Sequence, residues 1–359
     1  MKKRVLVAMS GGVDSSVAAA LLKKDGWDVV GVTMQVWDYS ASSCELTEGN
    51  GTCCSSIDVD DARSVADKIG IPFYVLNCEA KFKAAVIDPF VESYLQGATP
   101  LPCVNCNTYL KFDHLLQKMY ELDCDYLATG HYAQVVQGKN GLPQVATSED
   151  NWKDQTYFLF TLQPQIISRL LFPIGGLPKA EVRKIAEDLG LGVARKKDST
   201  GICFIGKAGY EGFVEKQVGS ERLKTGVLRH DPSGQVLGEH RGIHQFTYGQ
   251  RRGLGVYDKN PLYVTRIDAA TGDVWIGAEE LLYHRELEIT NPNWLDDFDS
   301  NEVLRVKIRY HHPGAEAQIK RQPNGNHRVE FLEPQRAITP GQAAVFYRDK
   351  QLVGGGWIV

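Results

Sequence analysis

Short apolar runs alternate with stretches of helical spacing through roughly the first 200 residues. Continuous apolar runs are typical of buried strands, and apolar positions that recur every three or four residues are typical of helices. The predicted strands are Val5–Met9, Trp27–Val36, Phe73–Leu76 and Tyr126–Thr129. The predicted helices are Val13–Lys24, Asp58–Ile69, Thr108–Leu122, which has Asn107 as its N-cap, and Pro178–Leu189. This alternation predicts an α/β domain in which helices cover a parallel sheet.

The pattern changes after residue 207, where glycines become frequent and apolar residues fall into short alternating runs. Such runs predict antiparallel strands. These strands are Leu262–Ile267, Val274–Ile276, Leu304–Tyr310, Ala317–Lys320, Arg328–Leu332 and Ala343–Tyr347. Pro292 places the acidic stretch Asn291–Asp299 in a connection. We expect an α/β domain at residues 1–207, a small β-rich domain at 208–282 and a C-terminal β-barrel at 283–359.

Composition narrows the class of protein. The 359 residues include 40 Lys and Arg against 44 Asp and Glu, a net charge of −4 that argues against a protein coating nucleic acid but leaves room for a local basic face. No apolar run could span a bilayer, and the basic start leads into a strand rather than a signal-peptide core, so we expect a cytoplasmic protein that does not bind membranes. Eight cysteines without a secretory signal predict catalytic, metal-binding or buried thiols.

A glycine-rich loop, Ser10-Gly-Gly-Val-Asp-Ser-Ser16, joins the first strand to the first helix. The backbone N–H groups of such a turn converge with the helix dipole on one point, where they favour a phosphate. The loop lacks the Gly-Lys-Ser/Thr ending of a Walker A motif. A Gly-Gly pair alone fits a plain tight turn equally well, but the complete loop in its strand–helix context predicts a nucleotide site.

This loop resembles that of the PP-loop ATP pyrophosphatases, which split ATP into AMP and pyrophosphate. In an open parallel sheet the nucleotide lies at the carboxyl ends of the strands, which points to Met34 and Gly130. Taken alone, Met34 is better explained as a core methionine. The resemblance implies that ATP, with Mg²⁺, is bound by Ala8, Met9, Ser10, Gly11, Gly12, Val13, Asp14, Ser15, Met34 and Gly130, and that Asp14 is catalytic.

Three cysteines occupy positions that suit a reactive thiol. Cys103 and Cys106 lie in Pro102–Asn107, at the predicted start of the third helix, where the dipole would stabilise a thiolate and favour Cys106 as a nucleophile. Cys203 lies in the polar, glycine-bearing stretch Lys197–Phe204, which is typical of a loop over a site.

The alternative for Cys103 and Cys106 is half of a structural zinc site. No second Cys-x-x-Cys supplies the other ligands, and the adjacent Cys53 and Cys54 suit tetrahedral zinc poorly. The remaining cysteines, which we interpret as buried or incidental, are Cys44, Cys78 and Cys124.

Several motifs in one order make a closer resemblance specific. They are the Ser10–Ser16 loop, TPLPCVNCN, ATGHY, KDQTYF, KKDSTGICFIG, TYGQRRGLG and TPGQAAVFY. Over essentially its whole length the chain is similar to the tRNA-specific 2-thiouridylases of the MnmA family. The resemblance implies that ATP adenylates O2 of the wobble uridine in tRNAs for Lys, Glu and Gln. It also implies that sulfur arrives as a persulfide from a sulfur-carrier protein or a cysteine desulfurase, giving 2-thiouridine, AMP and pyrophosphate.

The same resemblance implies roles for the cysteines. Cys203 matches the persulfide carrier, and Cys106 matches the nucleophile that forms a transient disulfide with it. Some family members carry Asp where this chain has Cys103. With Cys103, Cys106 and Cys203 all present, a [4Fe–4S] cluster with one open iron is the alternative, and we expect the persulfide route.

Contacts with RNA are also implied by the resemblance. The target base would meet Leu101, Pro102 and Cys103, and the tRNA would meet His131, Lys153, Asp154, Gln155, Arg309, Tyr310 and Gln342. Between Arg305 and Arg328 six Arg or Lys accompany one acid, Glu316, with aromatic residues interleaved, which suits phosphate contact and base stacking. The alternative is a solvated face of the barrel. Arg251 and Arg252 are further candidates.

Two other classes of protein remain in view. An amidating ligase of the same superfamily, such as one that makes GMP or NAD, would use the same loop but leaves Cys106, Cys203 and the β-rich domains unexplained. A catalytically inert RNA-binding protein would need neither the complete loop nor the cysteines. We therefore expect an ATP-dependent tRNA 2-thiouridylase.

Overall fold

The computed structural model describes residues 3–37, 56–138, 141–198, 201–206 and 208–359. These residues pack into two compact units. The first comprises Met1–Val86, Cys103–Lys207 and Lys350–Leu352, and the second comprises Ile87–Pro102, Ala208–Asp349 and Val353–Val359. The boundaries of the three predicted domains stay a prediction. Among the described residues no helix is long and apolar enough to cross a membrane.

The first unit is built on a five-stranded parallel sheet in the order β3-β2-β1-β4-β7. A two-stranded antiparallel hairpin, β5–β6, belongs to the same unit. The strands are β1 (Arg4–Ala8), β2 (Asp28–Gln35), β3 (Phe73–Asn77), β4 (Tyr126–Thr129), β5 (Ala133–Gln137), β6 (Pro143–Thr147) and β7 (Leu170–Leu171). Because β1 pairs on both sides, its residues Val5–Val7 are fully buried, as its continuous apolar run predicts.

Eight α-helices are present among the described residues. They are α1 (Val13–Lys24), α2 (Ser56–Ile69), α3 (Glu79–Phe82), α4 (Asp88–Leu95), α5 (Pro102–Asn105), α6 (Leu115–Glu121), α7 (Lys179–Asp188) and α8 (Gly209–Val218). Short 3₁₀ turns lie at Thr156–Phe158, Pro164–Arg169, Ser220–Arg222, Ile243–Gln245 and Glu279–Leu282. Helices α1, α2 and α7 contribute buried residues to one apolar cluster with β1 and β2, which confirms the predicted α/β class.

The predicted start of the third helix at Thr108 is wrong. Helix α5 begins at Pro102 and continues through a π-helical stretch, Cys106–His114, into α6. Asn107 is not an N-cap; its buried side chain donates to the Phe158 carbonyl at 3.1 Å. Pro102 suits the first helical position because a proline lacks the N–H that would stay unbonded there.

The second unit contains two separate β-structures. A four-stranded sheet has the order β10-β11-β8-β9, and β12 to β17 form a six-stranded barrel that closes through pairing of β12 with β17. The strands are β8 (Gly226–His230), β9 (Val236–His240), β10 (Tyr263–Ile267), β11 (Val274–Gly277), β12 (Tyr283–Trp294), β13 (Leu304–Lys307), β14 (Ala315–Arg321), β15 (His327–Arg336), β16 (Ala343–Arg348) and β17 (Gln351–Ile358). The β-rich region and the C-terminal barrel are thus confirmed.

The connection predicted at Asn291–Asp299 begins too early. Strand β12 runs on to Trp294, and its register with β17 shifts between Thr290 and Asn293. Asn291 adopts a positive φ of 46° within this bulge. A bulge accommodates Pro292 because the extra residue needs no ladder hydrogen bond.

The barrel core supplies a stability prediction. Phe346 is fully buried and stacks on Trp294, with 5.3 Å between ring centroids. Phe346→Ala should lower the free energy of unfolding by about 3–5 kcal/mol, because it removes apolar contacts and leaves a cavity. Urea titration monitored by tryptophan fluorescence measures this change. The matched control Leu332→Ala, at a half-exposed site, should change it by less than about 0.5 kcal/mol, and equal losses in both variants would contradict the assignment.

Candidate active site

The turn between β1 and α1 presents uncapped backbone N–H groups. Gly12 is the N-cap of α1, and no side chain caps the helix. The serine hydroxyls brace the turn instead. Ser15 Oγ accepts from the Ser10 N–H at 3.0 Å, and Ser16 Oγ donates to the Gly12 carbonyl at 2.8 Å. The first amides of α1 are therefore available to an anion, which is the arrangement that a phosphate site requires.

Two glycines let other parts of the chain approach this turn closely. Gly11 has a φ of 69°, and a Cβ there would lie 2.1 Å from the Asp58 carbonyl oxygen. Gly130 follows β4, and a Cβ there would lie 2.5 Å from the backbone nitrogen of Ser15. The structure thus brings Gly130 to the loop, because β1 and β4 are parallel neighbours whose carboxyl ends meet at one edge.

The two methionines predicted near the nucleotide have buried side chains. Met34 is 8% exposed and Met9 is 2% exposed. The sulfur of Met9 packs against Gly31, where a Cβ would approach it to 2.8 Å. Their side chains belong to the apolar core. A contact with the nucleotide would therefore come from the backbone of these residues, and it stays a prediction.

Asp14, in the first turn of α1, is bound by two side chains that the sequence analysis did not select. Lys179 Nζ donates to both carboxylate oxygens, at 2.7 and 2.8 Å, and the Tyr132 hydroxyl donates to Oδ1 at 2.9 Å. Burial raises the pKa of Tyr132, and the charge of Asp14 raises it further, so the phenol stays protonated and remains a donor. Asp14 is therefore held in one orientation beside the turn between β1 and α1.

Asp198 forms the second carboxylate of the same network. It accepts from Lys179 at 2.8 Å, from Lys153 at 2.7 Å and from Arg183 at 2.6 Å. Burial opposes ionisation of Asp198, but the hydrogen bonds from Lys153 and Lys179 outweigh it and lower its pKa to about 2. Lys179 thus lies between two ionised carboxylates, one on the loop and one on the segment that precedes Cys203.

A second contact joins this segment to the loop. Lys196 Nζ donates to the Gly11 carbonyl at 3.0 Å and pairs with Asp58 at 2.6 Å and Asp61 at 2.5 Å. Burial lowers the pKa of Lys196, but its hydrogen bonds to the two carboxylates raise it overall. The chain between Lys196 and Asp198 is therefore fastened to the loop at two points.

One sequence signal could have found Lys179. It is the first residue of α7, directly after the N-cap Pro178. A cation is disfavoured at a helix N-terminus by the helix dipole. A lysine at that position indicates a nearby carboxylate partner. The partners themselves, Asp14 and Asp198, cannot be identified from their positions in the sequence.

The cysteines lie on the same unit. Cys103 is exposed, and Cys106 and Cys203 are half-buried. Burial raises the pKa of Cys78 to about 11. The charge of Lys81 lowers this pKa, and the charge of nearby Cys106 raises it. Phe204, next to Cys203, packs edge-on against Phe82 of α3, with ring centroids 5.7 Å apart. Helix α3, which Cys78 precedes, therefore adjoins the surroundings of both Cys106 and Cys203.

The remaining predicted cysteines divide into two groups. Cys78 and Cys124 are buried, as expected, and burial also raises the pKa of Cys124 to about 11. Cys44, Cys53 and Cys54 lie outside the described residues.

The helix start at Pro102 changes the argument for Cys106. Because the helix begins four residues before it, Cys106 lies beyond the first turn, where the dipole effect is strongest. Cys103 lies in that turn instead. The dipole therefore does not account for a reactive Cys106.

The described residues do not arrange a metal site. No group of three or more His, Cys, Asp or Glu in them is placed to hold a metal ion. The three cysteines proposed for a [4Fe–4S] cluster, Cys103, Cys106 and Cys203, are thus not brought together as a ligand set in this conformation.

Comparisons with known proteins match the whole chain. Residues 3–207 match the family model "tRNA methyl transferase HUP domain", residues 211–278 the "tRNA methyl transferase PRC-barrel domain" and residues 284–358 the "Aminomethyltransferase beta-barrel domain". The tRNA-specific 2-thiouridylase MnmA of Geobacter metallireducens is 47% identical over 99% of this chain and 97% of its own. That of Magnetococcus marinus is 45% identical over 99% of both. This chain belongs to the MnmA family of tRNA-specific 2-thiouridylases.

A solved structure of a 4-thiouridine synthetase–RNA complex with bound ATP aligns at a TM-score of 0.33 with 15% identity, over 60% of this chain and 50% of that one. Likeness at this level does not bear on function. The family assignment rests on the full-length MnmA relatives.

Four of the RNA contacts implied by MnmA-family membership have side chains engaged within the first unit. Lys153 pairs with Asp198. Asp154, 4% exposed, accepts from the backbone of Ser148 and the hydroxyl of Thr156. Gln155 Oε1 accepts from the Tyr132 N–H at 3.0 Å.

His131 is the fourth of these residues, and it is 7% exposed. Its ring lies near Phe112 and Phe172, and its Nδ1 lies 2.7 Å from Thr129 Oγ1. Burial, and next the charge of Lys111, holds its pKa well below the usual 6.5, so the ring is neutral. Contacts of these four residues with tRNA stay a prediction.

The barrel candidates in this MnmA-family chain are more accessible. Arg309 is exposed, and Tyr310 is half-buried against the His311 ring, with centroids 4.3 Å apart. Gln342 donates to the Thr99 carbonyl at 3.0 Å, two residues before Leu101. Gln342 therefore supports the segment that carries Leu101, which is half-buried, and Pro102, which is buried.

The low pKa of Asp198 gives a pH prediction. Folding lowers this pKa from 3.8 to about 2, so the ionised group stabilises the fold above pH 3.8, and that stability is lost as pH falls toward 2. Asp198→Asn should lower the free energy of unfolding by about 2 kcal/mol at pH 7 and by about half as much near pH 3. Urea titrations at both pH values measure the difference. Asp113→Asn, at an exposed pair with Lys81, is the control; a pH-independent loss in Asp198→Asn would refute the assignment.

Proposed function

We propose that this protein catalyses ATP-dependent 2-thiolation of the wobble uridine of tRNAs for Lys, Glu and Gln. The products are 2-thiouridine, AMP and pyrophosphate. The observation that carries the proposal is the occurrence, on one unit of an MnmA-family chain, of an uncapped glycine turn beside Asp14 and of the two half-buried thiols Cys106 and Cys203. An amidating ligase would need the turn but neither thiol.

The turn supports the first step, adenylation of the base. The uncapped amides of α1 suit the pyrophosphate portion of ATP, and Lys179 beside them can offset negative charge that develops on it. The uridine O2 attacks the α-phosphorus, the bond to the β-phosphate oxygen breaks, and pyrophosphate leaves. Mg²⁺, when bound, would neutralise phosphate charge, and Asp14, the carboxylate of the loop, would help hold it. The base then carries AMP, a far better leaving group than a carbonyl oxygen.

The thiols support the second step, sulfur transfer. A persulfide on Cys203, loaded by a sulfur-carrier protein or a cysteine desulfurase, supplies the sulfur. The Cys106 thiolate attacks Sγ of Cys203, the S–S bond of the persulfide breaks, and hydrosulfide is released. Hydrosulfide adds to C2 of the adenylated base and expels AMP, while the Cys106–Cys203 disulfide is returned to two thiols by an external dithiol reductant. The half-burial of both cysteines would restrict the access of water to the persulfide.

The proposed route uses a persulfide rather than an iron–sulfur cluster. The exposed Cys103 and the half-buried Cys106 and Cys203 do not converge as a ligand set in the part of the chain that the structure describes. Anaerobic purification with iron and labile-sulfide analysis tests this choice. Activity without iron supports the persulfide route, and activity that requires about four irons per chain contradicts it.

Cys106→Ser tests the nucleophile. Because a serine hydroxyl cannot break the persulfide bond, 2-thiouridine formation should fall by at least about a thousandfold, while ATP binding stays unchanged. Thionucleoside analysis of tRNA from a strain that lacks the protein and is complemented with each variant measures the outcome. Cys124→Ala is the matched control, since Cys124 is buried elsewhere on the same unit and should support normal thiolation. Full activity in Cys106→Ser would eliminate the assigned role.

Gly130→Ala tests the nucleotide turn. The added Cβ would lie 2.5 Å from the Ser15 nitrogen and displace the first turn of α1, so affinity for an ATP analogue should fall at least about tenfold, or 1.4 kcal/mol. Calorimetric titration with α,β-methylene ATP measures it. Gly192→Ala is the matched control, because no atom lies within 4 Å of a Cβ built there. Equal affinities in the two variants would place the nucleotide elsewhere.

A further inference from the structure

The half-buried carboxylate of Asp150 accepts backbone hydrogen bonds from two separate parts of the first unit. Its Oδ1 accepts from the N–H groups of Trp152 and Lys153, both at 3.2 Å, in the turn that follows β6. Its Oδ2 accepts from the N–H of Lys179, the first residue of α7, at 3.0 Å. One carboxylate therefore joins this turn to the start of α7.

The contact with Lys179 replaces the cap that α7 does not receive from its own N-cap residue. That residue is Pro178, whose side chain has no atom that could accept a hydrogen bond. The first N–H of a helix needs an acceptor from elsewhere, and Asp150 supplies it. The carboxylate also places a negative charge at the end of the helix where the dipole disfavours a cation.

The two lysines whose backbone Asp150 holds have side chains that meet at one carboxylate. Lys179 Nζ lies 2.8 Å from Asp198 Oδ1, and Lys153 Nζ lies 2.7 Å from Asp198 Oδ2. Lys179 Nζ also donates to both oxygens of Asp14, at 2.7 and 2.8 Å. Asp150 thus fixes the backbone of Lys179 directly, and through Lys153 it supports a carboxylate that pairs with the same ammonium group.

We propose that Asp150 is a positioning residue of the nucleotide site, which sets the place from which the ammonium group of Lys179 meets the phosphates of ATP. A lysine carries its charge at the end of a flexible stem, so ordering the backbone and the ion-pair partners beforehand reduces the entropy lost when a ligand binds. The inference rests on the proposed function, because it takes the occupant of the turn to be ATP and Lys179 to offset its charge.

Asp150→Ala tests this placement in the full-length protein. Without the carboxylate the start of α7 loses its link to the neighbouring turn, so the affinity for α,β-methylene ATP with magnesium should fall at least about tenfold. Calorimetric titration measures it. Asp150→Asn keeps one acceptor oxygen but turns an N–H donor toward the other backbone amides, so its affinity should lie between those of the wild type and Asp150→Ala. An affinity of Asp150→Ala equal to that of the wild type refutes the inference.

Lys179→Met separates the placement of Lys179 from a general loss of structure. If Asp150 acts through Lys179, adding Asp150→Ala to Lys179→Met should change the affinity by less than about twofold, because the group to be positioned is already gone. A loss of full size in that background would show that Asp150 only stabilises the fold.

The reactivity of the Lys179 amine gives a second measurement that needs no Lys179 variant. In the wild type the amine is paired with Asp14 and Asp198, which should slow its acetylation by acetic anhydride. In Asp150→Ala the acetylation rate, followed by mass spectrometry, should rise at least about fivefold as these pairs loosen. An unchanged rate would show that Asp150 does not position Lys179.

Two other acids provide matched controls. Asp268 accepts from the backbone N–H groups of Ala270 and Thr271, at 2.9 and 3.1 Å, so Asp268→Ala removes the same kind of turn contact in the second unit. Glu181 is an exposed acid in the first turn of α7, so Glu181→Gln removes a charge from the same helix end. Both variants should bind the analogue within about twofold of the wild type. A loss in Glu181→Gln as large as that in Asp150→Ala would attribute the effect to charge alone and refute positioning.

The outcomes distinguish the inference from the proposed function. If the wild type does not bind the analogue, both the ATP site and the role of Asp150 are refuted. If the wild type binds it and Asp150→Ala binds equally well, or if the loss persists in full without Lys179, the role of Asp150 is refuted and the ATP site stands. A loss in Asp150→Ala that disappears in the Lys179→Met background and is absent from both controls establishes the positioning role.

Discussion

The arrangement of the site depends on the ion pairs that the ammonium group of Lys179 forms with Asp14 and Asp198. Lys179 is the first residue of α7, where the helix dipole disfavours a cation. The two carboxylates stabilise its charge there. Asp14 connects the turn between β1 and α1 to Lys179, and Asp198 connects the segment that precedes Cys203 to the same lysine. Removing the charge of Lys179 would leave two partly buried carboxylates facing each other, so the parts of the site are interdependent.

Much of the fold follows from local pattern. The continuous apolar run of β1, followed after Met9 and Ser10 by two glycines and a helix, indicates a buried parallel strand and a turn suited to a phosphate without any information from distant residues. The position of Gly130 also follows, because β1 and β4 are parallel and their carboxyl ends meet. Periodicity gave most strand limits in the barrel to within a few residues.

Other features depend on contacts that no local pattern records. Asp14, Lys179 and Asp198 meet through tertiary packing across more than a hundred residues of sequence. Asn107 is a residue type that is typical of N-caps. It lies instead within a helix that begins at Pro102, and its side-chain amide donates to the Phe158 carbonyl. The sequence alone does not tell whether such a side chain caps a helix or forms a buried tertiary hydrogen bond, because both roles use the same residue types.

The motif Lys153-Asp154-Gln155 shows how such a contact changes a functional interpretation. The family resemblance implies that this motif contacts tRNA, and in the structure each of its side chains supports a neighbouring part of the first unit. Gln155 accepts a hydrogen bond from the backbone of Tyr132, and the Tyr132 hydroxyl donates to Asp14, so the motif is connected to the turn between β1 and α1 through one intermediate residue. The motif can therefore matter for thiolation without touching RNA, because an error in its placement would be passed on to Asp14.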